Sequence, residues 1–96
     1  MSLEKIIDSV IINCVNDISN SIYKNIKNGL DLFSAIDNAI EQYNLEDEII
    51  IKFEIERSKK KFKLEDLDLS SETIKKISKN IKKIIYKKAI DEIEEK

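Results

Sequence analysis

From Leu3 to Ile26 apolar side chains recur every three or four residues, at Leu3, Ile7, Val10, Ile11, Cys14, Val15, Ile18, Ile22 and Ile26. That spacing is one face of an α-helix of about 25 residues. A second stripe of the same period, Ile74, Ile77, Ile81, Ile84, Ile85 and Ala89, predicts a helix of similar length that starts at Ser70 or Ser71 and runs toward residue 94. At 1.5 Å per residue each helix is roughly 37 Å long. A compact domain of this size has a radius of gyration of only ~12.5 Å. Two helices of matched length are therefore expected to pair, either within the chain or across a dimer.

Between them the punctuation is clear at first. Asn28 and the lone Gly29 end the first helix, because glycine takes the left-handed conformation at little cost. Asp31 caps a second helix with apolar positions Leu32, Phe33, Ile36, Ala39, Ile40 and Tyr43, and Asn44 closes it. Residues 49–65 read differently. Ile49, Ile51, Phe53 and Ile55 alternate with Ile50, Lys52, Glu54 and Glu56, the period of a half-buried strand. If Arg57 to Lys60 form a loop, the returning strand opposes Glu56 to Lys61, Glu54 to Lys63 and Lys52 to Glu65, with Ile55 facing Phe62 and Phe53 facing Leu64. The fold class expected is thus α+β and predominantly helical, with two N-terminal helices, a β-hairpin over about 49–65 and a long C-terminal helix. An all-α bundle is the alternative. With 96 residues the chain is a single domain, 1–96.

Helix, helix, hairpin, helix resembles, at the level of topology, winged-helix DNA binders and the HU class of architectural proteins. The resemblance goes no further. Asp31, Asp37 and Glu41 on the second helix would repel phosphates, and the glycines and arginine-rich arm of the HU class are missing.

Charge is sorted along the chain. Residues 31–56 hold eight acids against Lys52, whereas residues 57–90 hold twelve bases against four acids, so a formal net charge of −2 conceals two blocks of opposite sign. Lys75, Lys76, Lys79, Lys82, Lys83 and Lys87 fall opposite the apolar stripe of the last helix, with Tyr86 among them, while Arg57, Lys59, Lys60 and Lys61 cluster at the expected hairpin tip. The nucleic-acid-binding residues expected are Arg57, Lys59, Lys60, Lys61, Lys75, Lys79, Lys82, Lys83 and Lys87. A lysine-rich surface with almost no arginine suits phosphates better than base edges. The plain alternative is a solvated helix face, or a face that meets the acidic block of the same or another subunit.

Other chemistry has little to work with. Cys14 lies on an apolar stripe and there is no histidine to activate it, so a packed core thiol is expected. Glu46, Asp47 and Glu48 lack the spacing of a calcium loop and read as acids at a helix start. No catalytic residue, metal site, cofactor or small-molecule substrate is expected. No apolar run exceeds three residues, so neither a membrane span nor a cleaved leader is expected. A single cysteine fits a reducing, cytoplasmic setting. Two functions follow as expectations. One is a small non-enzymatic protein that touches nucleic-acid backbone. The other is a protein interaction module, a helical homo-oligomer formed through the long helices or a subunit of a larger complex.

Overall fold

The computed structural model describes residues 3–60 and 70–94. Among the described residues the secondary structure is entirely helical: α1 (Leu3–Lys27), α2 (Leu32–Tyr43), α3 (Leu45–Lys60) and α4 (Ser71–Glu94). The expected ends of α1 and α2 are borne out. Gly29 sits at φ 102°, with Gly29 N–H donating to Ile26 C=O at 3.0 Å and Leu30 N–H to Asn25 C=O at 3.1 Å. These two bonds form the Schellman closure, which satisfies carbonyls that a helix end leaves open. Asp31 then accepts from Ser34 N–H at 3.2 Å as the N-cap of α2. Ser70 does the same for α4, accepting from Thr73 N–H at 3.3 Å.

The β-hairpin expected over 49–65 is overturned. Leu45–Lys60 is one α-helix, which puts the supposed loop Arg57–Lys60 inside its last turn. The second strand of that expectation, with Lys61, lies outside the described residues. Two local facts favour the helix. Asn44 adopts the left-handed region at φ 55°, ψ 57°, so α3 begins at the very next residue. Asparagine is among the few side chains that tolerate this region. Glu46, Asp47 and Glu48 then fill the first turn, where negative charge meets the positive end of the dipole. Two of the charges that would have paired across strands pair along the helix instead, Lys52 with Glu48 at 3.6 Å and Glu54 with Arg57 at 3.0 Å.

The helices form three parallel rods. Asn25 Nδ2 on α1 donates to Ala35 C=O at 3.1 Å and to Asn38 Oδ1 at 3.2 Å on α2, and Ser9 on α1 faces Glu56 on α3. Both α2 and α3 therefore run antiparallel to α1 as one rod broken at Asn44. Tyr86 on α4 bonds Asp37 on α2, while Ile85 and Ala89 share a groove with Ile22 and Ile26 of α1. So α4 runs alongside α1 in the same direction. The bundle measures 43 × 24 × 24 Å with a radius of gyration of 14.6 Å, longer than a compact domain of this size because its rods are as long as its helices.

Its core contains Ile6, Val10, Cys14 and Ile18 of α1, Ile36 of α2, Ile49 and Phe53 of α3, and Ile81 and Ile85 of α4. Most of each stripe of α1 and α4 is thus spent within the chain, with Ile26 and Ile84 left exposed. Sequence spacing had passed over Ile6, which is buried, and had counted Ile26, which is exposed. Ile49 and Phe53, four residues apart, face inward, whereas Ile51 and Ile55 face outward. Ile49→Ala is therefore expected to destabilise by about 2–5 kcal/mol, and Ile51→Ala to stay within about 0.5 kcal/mol. Urea denaturation of the two variants checks this. Equal losses would restore the strand, which puts both residues on one face.

Candidate nucleic-acid interface

A surface that binds phosphates must carry cations that the fold has not already neutralised. On α4 the bases repeat at helical spacing, and Lys75, Lys76, Lys79, Lys82, Lys83 and Lys87 are all exposed. Ion pairs among the described residues include those of Lys52 with Asp17 and Glu48 and of Arg57 with Glu54, and none joins an α4 lysine to a described carboxylate within 4.0 Å. The stripe from Lys75 to Lys87 covers about 18 Å of helix.

Its border is not uniform. Lys82 lines an open polar cleft of about 350 Å³ together with Glu41, Glu46, Asp47 and Ser78, where the joint of α2 and α3 meets α4. Carboxylates there lower the local potential around Lys82. Tyr86 is committed as well, donating from its hydroxyl to Asp37. That hydrogen bond, with some burial, raises the tyrosine pKa. Lys75, Lys76, Lys79, Lys83 and Lys87 remain as the open part of the stripe.

The other expected cluster is not gathered at a hairpin tip. Arg57 and Lys59 are exposed on the last turn of α3, with Lys60 ending that helix, and Lys61 lies outside the described residues. Cations at this position complement the negative end of the helix dipole, which is a sufficient reason for them. Arg57 is also half neutralised, since its Nε and a terminal guanidinium nitrogen both reach Glu54 Oε2, at 3.1 and 3.0 Å.

A second polar cluster joins α1, α2 and α3. Asp17 Oδ2 accepts from the Tyr43 hydroxyl at 2.6 Å and from Lys52 Nζ at 2.9 Å. Lys52 Nζ also stands 6.0 Å from the centre of the Tyr43 ring, within range of a cation–π attraction. Burial works to raise the Asp17 pKa, but hydrogen bonds from Tyr43 and Lys52 outweigh it and hold the carboxyl below its ordinary range. Burial likewise opposes the charge on Lys52, and Asp17 overcomes it, so the ammonium is held more firmly than usual. Desolvation, then Asp17, push Tyr43 far upward. Cys14 beneath them is fully buried, and desolvation raises its thiol pKa. These directions keep Lys52 and Tyr43 protonated and Cys14 a thiol near neutral pH. The cluster is a clamp between helices, made of groups unsuited to nucleophilic attack. Sequence reading missed it, although Lys52 stood out as the lone base among eight acids in residues 31–56.

No protein-family model matches the chain, and neither the curated proteins nor the solved structures contain a match. Among the described residues no three potential metal-ligating side chains converge, and no helix is long and apolar enough to cross a membrane.

The clamp sets a pH window. Asp17 has a lowered folded pKa, so its contribution is present above its unfolded value, about pH 4, and is lost as pH falls through the folded value. Lys52 and Tyr43 have raised folded pKa values, so theirs is complete below about pH 10 and is lost as pH rises through the folded values. Asp17→Asn is expected to lower stability by about 1 kcal/mol at pH 7, as for a partly exposed pair, and to shrink the acid limb of the stability profile. Urea midpoints measured from pH 3 to 7 check it; an acid limb identical to that of the native chain counts against the clamp.

Proposed function

We propose that the chain is a small non-enzymatic protein that contacts the phosphate backbone of nucleic acid through the open lysine face of α4. The observation that carries this reading is a row of exposed lysines for which, among the described residues, no carboxylate stands within ion-pair distance. Duplex DNA presents one phosphate per about 3.4 Å of axis on each strand, so a stripe of about 18 Å matches about five of them. Arginine is missing from the stripe, and bidentate reading of guanine is not part of its chemistry. Tyr86, the aromatic group within the stripe, is hydrogen-bonded to Asp37 and poorly placed to stack on an unpaired base. The reading therefore favours duplex over single strand, and backbone over sequence.

A second reading, a protein interaction module without nucleic acid, is favoured by one specific observation. The outward face of α3 leaves Ile51 and Ile55 about half exposed, at 49% and 47%.

Binding to random duplex is expected at ~50 mM salt and should be largely lost by ~200 mM, with log K falling against log salt at a slope between about −3.5 and −5.5 for four to six contacts. Replacing Lys79 and Lys83 by Glu should weaken all sequences alike and flatten that slope by about 2. Fluorescence anisotropy over a salt series measures both. Failure to bind at ~50 mM salt, or an unchanged affinity in the double variant, defeats the reading.

A further inference from the structure

The cleft of about 350 Å³ between the α2–α3 joint and α4 draws acids from two helices and a base from a third. Glu41 comes from the last turn of α2, Glu46 and Asp47 from the first turn of α3, and Lys82 from α4. Three carboxylates against one ammonium leave an excess of two negative charges. Among the described residues none of the four takes part in an ion pair within 4.0 Å. The α3 acids answer to their own helix dipole and make no site alone. Glu41 has no such reason, since it stands at the negative end of α2.

The observation that points to a ligand is Ser78. It lines the same cleft and is buried, with 6% of its surface exposed. Buried hydroxyls are as a rule hydrogen-bonded, yet this one has no bond to a described residue. Among the described residues no buried side-chain polar atom cut off from solvent is without a partner. The Ser78 hydroxyl therefore keeps its remaining surface toward the cleft, as an acceptor and donor held in place by the core around it.

The shape of the charge selects the ligand. No three potential metal-ligating groups converge among the described residues, whereas a hard divalent ion wants about six oxygens around one point. Carboxylates that stand apart suit a charge that is also spread out. The volume falls in the range of small-molecule sites, roughly 300 Å³ and above.

From these features we propose that the cleft binds a small organic dication, two ammonium groups joined by a short methylene chain. The ammonium groups donate to Glu41, Glu46 and Asp47, Ser78 Oγ accepts one N–H, and Ile40 and Leu45 lie beside the methylenes. Two charges on the ligand balance the excess of two on the cleft. Lys82 repels the ligand, so removing its charge should tighten binding, the reverse of what loss of a structural contact would do.

The test is a titration of the full chain with putrescine, without nucleic acid, followed by amide chemical shifts at ~50 mM salt, where charge is modestly screened. Saturable shifts centred on residues 40–47 and 78–82 are expected at millimolar ligand or below. Butylamine, of equal length with one charge, should bind about tenfold more weakly. Glu41→Gln should weaken putrescine about fivefold or more, and Ser78→Ala about fivefold, the worth of one hydrogen bond. Lys82→Gln should tighten it about threefold. Asp8→Asn and Lys27→Gln, exposed on α1 outside the cleft, make the same charge changes and should leave the affinity as it was. Glu41 and Lys82 are exposed and Ser78→Ala removes one oxygen, so circular dichroism should show native helix content in each variant. Absence of saturable shifts overturns the proposal. So does butylamine binding as well as putrescine, or Asp8→Asn costing as much as Glu41→Gln, since either reduces the effect to net charge. An unchanged affinity in Ser78→Ala overturns it too. Each of these outcomes leaves the phosphate reading of the α4 face where it stood, because no nucleic acid enters the experiment.

Discussion

Everything in this bundle follows from the need to cover two apolar stripes, each about 36 Å long, on α1 and α4. Packed only on each other, these helices would leave much of both stripes in water, since a stripe wide enough for a globular core faces more than one neighbour. The third rod must match them in length. Joined at Asn44, α2 and α3 contribute 12 and 16 residues, about 42 Å of helix, against a long axis of 43 Å. A hairpin from residue 49 would leave its own strands two-sided and cover less of the stripe. The left-handed residue at position 44 breaks the rod without shortening it, at the small penalty asparagine incurs there.

The same requirement explains why Asp17, Tyr43 and Lys52 meet. Where the broken rod crosses α1, the last residue of α2, Tyr43, and Lys52, two turns into α3, bring polar groups toward the core, and those groups must be paired when they lose water. Lys52 is the cation the acidic block retains, and it is used internally, its side chain 15% exposed against Asp17 at 47%. Such a partly buried pair adds less stability than its charges suggest, because desolvation offsets most of the attraction. Its more secure consequence is registry. With Asp17 bonded to both Tyr43 and Lys52, neither α2 nor α3 can slide along α1 by a turn without leaving a charge unpaired. Glu56, unlike Asp17, is a buried acid, 8% exposed, with a long contact of 3.5 Å from the Ser9 hydroxyl.

Much of this was legible in the residues, and the failures have identifiable causes. Helix ends could be read because Asn28, Gly29, Asp31, Asn44 and Ser70 each act through local backbone chemistry that needs no tertiary partner. The stripes of α1 and α4 could be read because they are long enough for period to outweigh composition. Residues 49–56 misled because isoleucine is so common in this chain that it fills exposed helical positions too, at Ile50, Ile51 and Ile55, and a run with few polar gaps looks alternating by chance. The turn chemistry was the better guide: Arg57 to Lys60 holds no Gly, Asn or Pro, and a tight hairpin wants one. The clamp was illegible for another reason, since Asp17, Tyr43 and Lys52 come from three helices and meet only once the bundle closes. In the candidate interface the lysine face of α4 could be read from its spacing. That Lys82 borders carboxylates could not, because Glu41, Glu46 and Asp47 reach it only through packing.

A net charge of −2 does not by itself decide whether this molecule attracts a polyanion. At physiological ionic strength the field of an exposed charge fades over about 8 Å, whereas the bundle is 24 Å across. Carboxylates on the far side of the α2–α3 rod are therefore screened from Lys79 and Lys83, and the potential that an approaching phosphate meets is local. Along the border at Lys82 and Tyr86 the acids lie within that range, so attraction weakens there and the effective face narrows toward Lys76, Lys79, Lys83 and Lys87. Separation of sign across the short axis of a rod thus gives an acidic protein a basic side, because each block acts mainly on what lies directly in front of it.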